Sequence, residues 1–379
     1  MTGSIGAVTG GARTCTDAEF PPYMRAFAYK LARLLLPGFA TVALCTAARA
    51  HATDDCKSIT DAAQRLACYD KVFGGPTETA KPAEATHPPV AGRTELSAAA
   101  KGLGIGDVMT TFWELTPAEK RGTFVVRTYL STFFLPVLYT SSMNRQPESP
   151  TRGAAPAQPT YRNLETEFQI SLRAKIAEGL LLPNADLWFA YTQQSFWQPW
   201  DHQDSAPFRD TDFQPEVIYV VPVPEPVGAL PLGWHWRMAQ IGFAHQSNGQ
   251  SDPLSRSWNR LVVGTAAERD EFALRLRHEF RIRESASSDD NPDLTDYIGS
   301  TELAATWLHG VGAASLVWKV NIQDFGRGSL KFDWTLPFRR AKPEGLRWYL
   351  QVFSGYGETL LDYNHRQTSI GFGVMLFQL

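Results

Sequence analysis

The segment Phe272-Ala-Leu-Arg-Leu-Arg-His-Glu-Phe-Arg-Ile-Arg283 alternates apolar and mostly charged side chains along its length. Successive side chains of a β-strand point to opposite faces, so the alternation predicts a strand with one apolar and one charged face. The same period of two recurs in residues 167–176, 330–336 and 370–376. A soluble β-sandwich shares this period, but a charged face suits the polar lumen of a membrane barrel and an apolar face suits lipid. The pattern favours an all-β chain that forms a transmembrane antiparallel β-barrel.

The composition agrees with a barrel. The 379 residues include 22 Phe, 12 Tyr, 11 Trp and 29 Gly, whereas only 20% of the chain is charged. These proportions are typical of an all-β protein with many turns and an aromatic-rich surface. The formal net charge of -3 gives no indication of a nucleic-acid partner, and no motif indicates a nucleotide cofactor. We therefore expect neither.

The N-terminal part is typical of an export signal that starts at Met24. Arg25, Lys30 and Arg33 form a basic region, residues 34–44 an apolar one, and residues 48–52 offer small side chains for cleavage. The apolar run is too short to cross a bilayer as a helix. Residues 1–52 are therefore predicted to be an upstream segment and a signal peptide. Acylation at Cys45 is a less favoured alternative, because Leu44 is a poor residue before an acylated cysteine.

Three further parts follow the signal peptide. Cys56 and Cys68 are the two cysteines left in the exported chain, and their spacing predicts a disulfide in a short periplasmic element over residues 53–72. Residues 73–103 are rich in Pro, Ala and Thr, which predicts a flexible linker. Residues 104–379 are predicted to form the outer-membrane barrel.

Candidate catalytic residues lie in the sequence His245-Gln-Ser247-Asn-Gly249, followed by Ser255-Arg-Ser-Trp-Asn259. Residues i and i+2 of a strand share a face, so His245 and Ser247 lie side by side as a base and a nucleophile. If the strand after the turn pairs with the first, Asn259 lies across from the histidine and fixes its tautomer. The spacing predicts a serine hydrolase triad of Ser247, His245 and Asn259, with oxyanion donors from the backbone N–H groups of Ser247 and Gly249.

The parity of the flanking residues places this triad on the lipid-facing surface. His245 shares its face with Phe243 and Ile241, and Asn259 shares its face with apolar residues of the returning strand. A neutral asparagine suits that position, because a carboxylate near hydrocarbon carries a large desolvation cost. An isolated His-x-Ser pair is usually ordinary packing, and Asn-Gly is a common turn. The triad hypothesis therefore depends on the combined spacing.

The chain resembles the outer-membrane phospholipase A family of Gram-negative bacteria. The catalytic segment carries the resemblance, and so do Trp113-Glu-Leu-Thr-Pro-Ala-Glu-Lys-Arg-Gly-Thr-Phe124, Tyr191-Thr-Gln-Gln-Ser-Phe-Trp-Gln198, Ser205-Ala-Pro-Phe-Arg209, Asp289-Asp-Asn-Pro-Asp293 and Phe353-Ser-Gly-Tyr-Gly-Glu358. The resemblance implies a barrel of twelve strands. It also implies a calcium-dependent enzyme of phospholipase A1/A2 and lysophospholipase type, with membrane phospholipids as substrates.

The resemblance also implies a metal site and a dimer. Ser255 matches the family's hydroxyl ligand for Ca²⁺, and Gln250 stands where the family supplies a backbone carbonyl. Ser205 matches the position that reaches the calcium from the second subunit of an active homodimer. Gln193 shares a strand face with apolar residues, and it matches a glutamine of the dimer interface. Asp289, Asp290 and Asp293 are interpreted as the start of a turn rather than as cation ligands.

Two other functions remain open at this point. A non-enzymatic outer-membrane barrel, either a channel or a structural protein, would keep the catalytic segment only as turn architecture. A soluble secreted lipase would lack the charged lumen and the cysteine-paired prefix. Release of fatty acid from phospholipid, and its loss on Ser247→Ala, separates the first alternative from the enzyme.

Overall fold

The computed structural model describes Cys56, residues 58–73, 108–343 and 345–376. The chain divides into two compact units, Met1–His87 and Pro88–Leu379. The predicted signal peptide and the predicted linker, apart from its first residue, lie outside the described residues. No helix among the described residues is long and apolar enough to cross a membrane.

The first unit contains the helix α1 (Ala62–Phe73). The carboxylate of Asp61 accepts the backbone N–H of Gln64 at 2.9 Å, which satisfies a donor in the first turn. A disulfide joins Cys56 to Cys68 with Cα atoms 5.7 Å apart. The predicted cysteine pairing is thus confirmed, although the helix continues to the first residue assigned to the linker.

The second unit is a closed antiparallel β-barrel of twelve strands. Its strands are β2 (Thr132–Thr140), β5 (Leu164–Ala177), β6 (Asp186–Trp197), β7 (Phe208–Pro222), β8 (His235–Ser247), β9 (Ser257–Arg269), β10 (Phe272–Ile282), β11 (Thr301–His309), β12 (Gly312–Asn321), β13 (Asp324–Pro337), β14 (Leu346–Tyr356) and β15 (Arg366–Leu376). The short strand β1 (Val126–Thr128) adds to β5, and β3 (Glu148–Ser149) pairs with β4 (Gly153–Ala154). Pairing of β15 with β2 closes the barrel. The predicted fold and strand number are confirmed.

The two faces of each strand differ as the alternation predicted. The apolar side chains of β10 are exposed on the outer surface, as Phe272, Leu276 and Phe280 show. The charged side chains of the same strand face inward and form ion pairs, which offset the cost of their burial. These pairs are Arg275 with Glu302 at 3.0 Å, Arg277 with Glu216 at 3.0 Å and Arg260 with Glu279 at 3.1 Å.

A short helix fills one end of the lumen. Helix α2 (Val108–Trp113) places Trp113 in a buried cluster with Trp188 and Met238. The guanidinium of Arg173 lies 4.5 Å from the centre of the Trp113 ring. Beyond this cluster, a lumen cavity of about 390 Å³ extends towards the other end of the barrel.

The two ends of the barrel differ in the length of their connections. At the end where α2 lies, the connections include the two-residue turns Asp270-Glu271 and Gly310-Val311, and the longest of them is 223–234. The other end carries the long connections 141–163, 198–207, 248–256, 283–300 and 357–365. Helix α4 (Leu294–Ile298) lies in the fourth of these, whereas α3 (Glu225–Gly228) lies at the opposite end. Outer-membrane barrels have short periplasmic turns and longer extracellular loops, so the long connections mark the extracellular end.

Candidate active site

The pairing of β8 with β9 brings the predicted histidine and asparagine together. His245 is the direct cross-strand partner of Asn259. The Nδ1 atom of His245 lies 2.9 Å from Oδ1 of Asn259. Their neighbours on the same face, Ile241, Phe243 and Leu261, are exposed on the outer surface of the barrel. The His245–Asn259 pair therefore lies on the lipid-facing side, at the end where the long connections begin.

Ser247 is the last residue of β8 and lies on the same face as His245. Its cross-strand neighbours are Ser257 and Phe213. Within the described chain, no hydrogen bond joins Ser247 to His245. Nucleophile and base often become aligned only when substrate is bound, so the shared face is the relevant observation. The structure thus unites two of the three predicted triad residues by a hydrogen bond and places the third beside them.

Asn248 organises the connection 248–256, which we name the catalytic loop because it follows the predicted nucleophile Ser247. The Asn248 side chain is buried; its Oδ1 accepts the Arg256 N–H at 2.9 Å and its Nδ2 donates to the Leu254 carbonyl at 2.9 Å. Gly249 follows with a φ of 64°, and a Cβ there would lie 3.2 Å from the Phe213 ring. The Gly249 N–H meets no acceptor among the described residues. A free donor next to the predicted nucleophile is what an oxyanion site requires.

The predicted calcium ligands are distributed over two connections. Ser255 lies in the catalytic loop, and its hydroxyl donates to Oδ2 of Asp290 at 2.7 Å. Gln250 uses its side-chain amide to donate to Asp210 at 3.1 Å. Ser205 is an exposed residue of the connection 198–207. In the described part of the chain, no three His, Cys, Asp or Glu side chains form a group that would hold a metal.

The sequence profile of the phospholipase A1 family matches residues 109–376. A phospholipase A1 of Klebsiella pneumoniae is 34% identical over 256 residues, which cover 68% of this chain and 84% of that protein. The chain belongs to the phospholipase A1 family. A phospholipase A1 of Escherichia coli K12 is 36% identical over 218 residues, covering 58% of this chain and 71% of that protein.

Two solved structures of the family share the barrel. Outer membrane phospholipase A of Escherichia coli, in an active-site variant that replaces an asparagine by alanine, matches with a TM-score of 0.62 at 31% identity. The Salmonella typhi outer membrane phospholipase dimer with bound calcium matches with a TM-score of 0.61 at 32% identity. Each match covers 73% of this chain and 99% of the solved chain. The predictions of a phospholipase hydrolase and of an outer-membrane barrel are confirmed.

Within this family member, Gln193 lies on the outer face of β6 as predicted. Its Oε1 accepts the Tyr191 hydroxyl at 3.2 Å, and its Nε2 donates to the Ser195 hydroxyl at 3.4 Å. The lipid-facing amide is therefore partly satisfied by its own strand. An amide has two N–H donors, so one remains for another partner.

Three residues at the site were missed by the sequence reasoning. Asn248 was interpreted as part of a common turn, and Asp290 as the start of another. Glu284 was not singled out at all, although its Oε1 accepts the Asn259 Nδ2–H at 2.9 Å. A signal for it existed, because Phe280, Ile282 and Glu284 share one parity. A charged residue at the end of a mostly apolar face is expected to have a polar partner.

Proposed function

We propose that the chain is a calcium-dependent outer-membrane phospholipase of A1/A2 and lysophospholipase type that works through a triad of Ser247, His245 and Asn259. The observation that carries the proposal is the 2.9 Å contact between His245 Nδ1 and Asn259 Oδ1 on the lipid-facing surface, with Ser247 on the same face. A site on the outside of a barrel at the membrane edge is accessible to a phospholipid within the bilayer. The active-site asparagine of the Escherichia coli relative supports the role of Asn259.

The contact between His245 and Asn259 supports one route for the proton. Asn259 Oδ1 accepts the proton of His245 Nδ1, so Nε2 carries the free lone pair and acts as the base. Ser247 Oγ attacks the acyl carbonyl carbon as its proton passes to Nε2, and the same proton then goes to the departing alcohol oxygen. This leaves an acyl ester on Ser247. Water, deprotonated by His245, hydrolyses that ester and releases the fatty acid.

The oxyanion that forms on the carbonyl oxygen needs donors beside Ser247. The unpaired N–H of Gly249 is one, and the N–H of Ser247 is the other candidate. The positive φ of Gly249 and the closeness of Phe213 both disfavour a side chain at this position. Any substitution of Gly249 would therefore disturb the donor itself.

The calcium proposal depends on the oxygen donors of the catalytic loop. The Ser255 hydroxyl donates its proton to Asp290, so its lone pairs stay free, and the Gln250 carbonyl accepts no hydrogen bond from the described residues. Hydroxyl and carbonyl oxygens are ligands that Ca²⁺ accepts, and so few of them favour modest affinity. Bound calcium would supply positive charge next to the developing oxyanion. The Salmonella typhi dimer with bound calcium supports the ion and a homodimer. In that homodimer Ser205 would come from the second subunit, as the family resemblance implies.

The test uses purified protein in detergent with dispersed phospholipid. We expect fatty acid release in the presence of calcium, little release with a chelator, and a loss of about 10³-fold or more in kcat for Ser247→Ala. Ser257→Ala is the matched control, because Ser257 is the cross-strand neighbour of Ser247 on the same face. Its activity should stay within about threefold of the wild type. Release that survives Ser247→Ala would refute the triad, and release that ignores chelation would refute the calcium requirement.

A further inference from the structure

Glu284 contacts the asparagine of the proposed triad from the side opposite His245. The Oε1 atom of Glu284 accepts the Asn259 Nδ2–H at 2.9 Å, while Asn259 Oδ1 lies 2.9 Å from His245 Nδ1. In the pairing of β9 with β10, Ile282 is the direct partner of Asn259, and Glu284 follows two residues later at the start of the connection 283–300. The three polar groups form a chain of two hydrogen bonds: carboxylate, amide and imidazole.

An asparagine amide has an ambiguity that an aspartate does not have. Its oxygen and nitrogen ends have nearly the same shape, but one accepts and the other donates. If the Asn259 amide turned by 180°, its NH2 group would face His245 Nδ1. The imidazole would then carry its proton on Nε2, and the base facing Ser247 would be lost. In a serine protease, the wrong histidine tautomer costs about 10⁴ in kcat.

A carboxylate removes this ambiguity because it can only accept. Glu284 pairs favourably with the NH2 end of Asn259 and unfavourably with the oxygen end. We propose that Glu284 is a positioning residue for the phospholipase reaction, which fixes the orientation of the Asn259 amide and thereby the tautomer of His245. The proposal rests on the proposed function, since it concerns the same triad.

The donor and acceptor character of residue 284 provides the first test. Glutamine can both accept and donate, so Glu284→Gln should lower kcat by about threefold to tenfold with little change in KM. Lysine can only donate, so Glu284→Lys should favour the turned amide and lower kcat by about a hundredfold or more. Asp324→Lys is the control for charge. Asp324 is an exposed carboxylate that pairs with Arg327, and it lies at the same end of the barrel as Glu284. Its kcat should remain close to that of the wild type.

The second test reverses the sign of the effect. In Asn259→Asp, residue 259 is itself a carboxylate. It and Glu284 would then face each other as two acceptors with no donor between them. We expect Glu284→Gln and Glu284→Lys to raise kcat severalfold in the Asn259→Asp background, although both lower it in the wild type. A residue that only supports the fold would lower activity in both backgrounds.

The outcomes separate this proposal from the proposed function. Wild-type protein without phospholipase activity would refute the function itself, before any variant is compared. Activity in the wild type with equal kcat for Glu284→Gln and Glu284→Lys, or losses of the same sign in both backgrounds, would overturn the role of Glu284. The heat-dependent mobility of each variant in SDS gels shows whether it is folded. If one of the two variants does not fold, Glu284→Leu replaces it, and its kcat should lie between those expected for Glu284→Gln and Glu284→Lys.

Discussion

At the scale of single residues, Asn248 determines the shape of the catalytic loop. Its side chain is only 3% exposed and ties the two arms of the loop together through Arg256 and Leu254. Loss of these bonds leaves the buried N–H of Arg256 unpaired, at about 1–3 kcal/mol, and frees the half-buried carbonyl of Leu254. The free N–H at Gly249 and the proposed calcium ligands at Gln250 and Ser255 all depend on this geometry.

We therefore expect Asn248→Ala to lower kcat by about tenfold or more, because the loop would lose its fixed shape. Steady-state hydrolysis of dispersed phospholipid measures the effect. Asn321→Ala is the matched control: Asn321 makes the same kind of contacts in the β12–β13 turn, with Asp296 at 3.0 Å and Gln323 at 2.9 Å. An equal loss in both variants would show that the catalytic loop has no special dependence on Asn248.

The faces of the strands were predictable at this scale, and the contacts from the loops were not. The parity of residues 241–247 and 259–263 was enough to place His245 and Asn259 outward, because a strand alternates with a fixed period. The partner of Ser255, in contrast, is Asp290, which reaches the site through the connection 283–300. No periodicity constrains such a connection, so its contacts become visible only in the folded barrel. Glu284 is an intermediate case, because its parity with Phe280 and Ile282 was predictable from the sequence and its contact with Asn259 was not.

At the scale of elements, the connection 357–365 supports the extracellular end from inside the barrel. Its backbone N–H groups at Leu360 and Leu361 donate to Asp212 and Asp210 at 2.9 and 3.1 Å. Tyr363 donates to Asp293 at 2.6 Å and lies beneath Arg256 of the catalytic loop, 5.9 Å from its guanidinium. Strand β7 and two other connections, 248–256 and 283–300, therefore pack against this one.

Glu358 makes the stability of this connection depend on pH. Burial raises the pKa of its carboxyl to about 7, although hydrogen bonds from Ser369 and Gln367 act in the opposite direction. A carboxyl with a raised pKa stabilises the fold below its unfolded value of 4.5 and loses that contribution as the pH rises through about 7. The difference is about 3 kcal/mol, and Glu358→Gln should remove it. Unfolding midpoints at pH 5 and pH 8 measure this: relative to wild type, the variant should be more stable at pH 8 than at pH 5. A constant difference between the two proteins would contradict the raised pKa.

At the scale of the whole molecule, the proposed triad on the outside of the barrel would lie permanently against its own substrate. Control must then come from something that a single barrel lacks, and the proposed calcium-bound homodimer is such a device. Gln193 indicates the surface involved, because it is a polar group on the lipid-facing side of β6 whose own strand satisfies it only in part. Polar side chains in hydrocarbon usually act as contacts between membrane segments.

Replacing Gln193 by leucine separates dimer formation from folding. Leucine suits lipid better than an amide does, so the barrel of Gln193→Leu should be at least as stable as the wild type. The dimer should weaken by about 1 kcal/mol or more for each lost hydrogen bond across the interface. Calcium-dependent cross-linking and sedimentation in detergent would show a smaller dimer fraction, and activity should fall in parallel at low protein concentration.

Thr301→Val is the control, since Thr301 is a lipid-facing polar residue bonded to His278 at 2.9 Å, five strands further round the barrel. A dimer fraction that falls equally in both variants would place the interface elsewhere. If Ser205 crosses the interface to complete the site, activity depends on the dimer. Recovery of activity at high protein concentration would then distinguish a weakened dimer from a damaged triad.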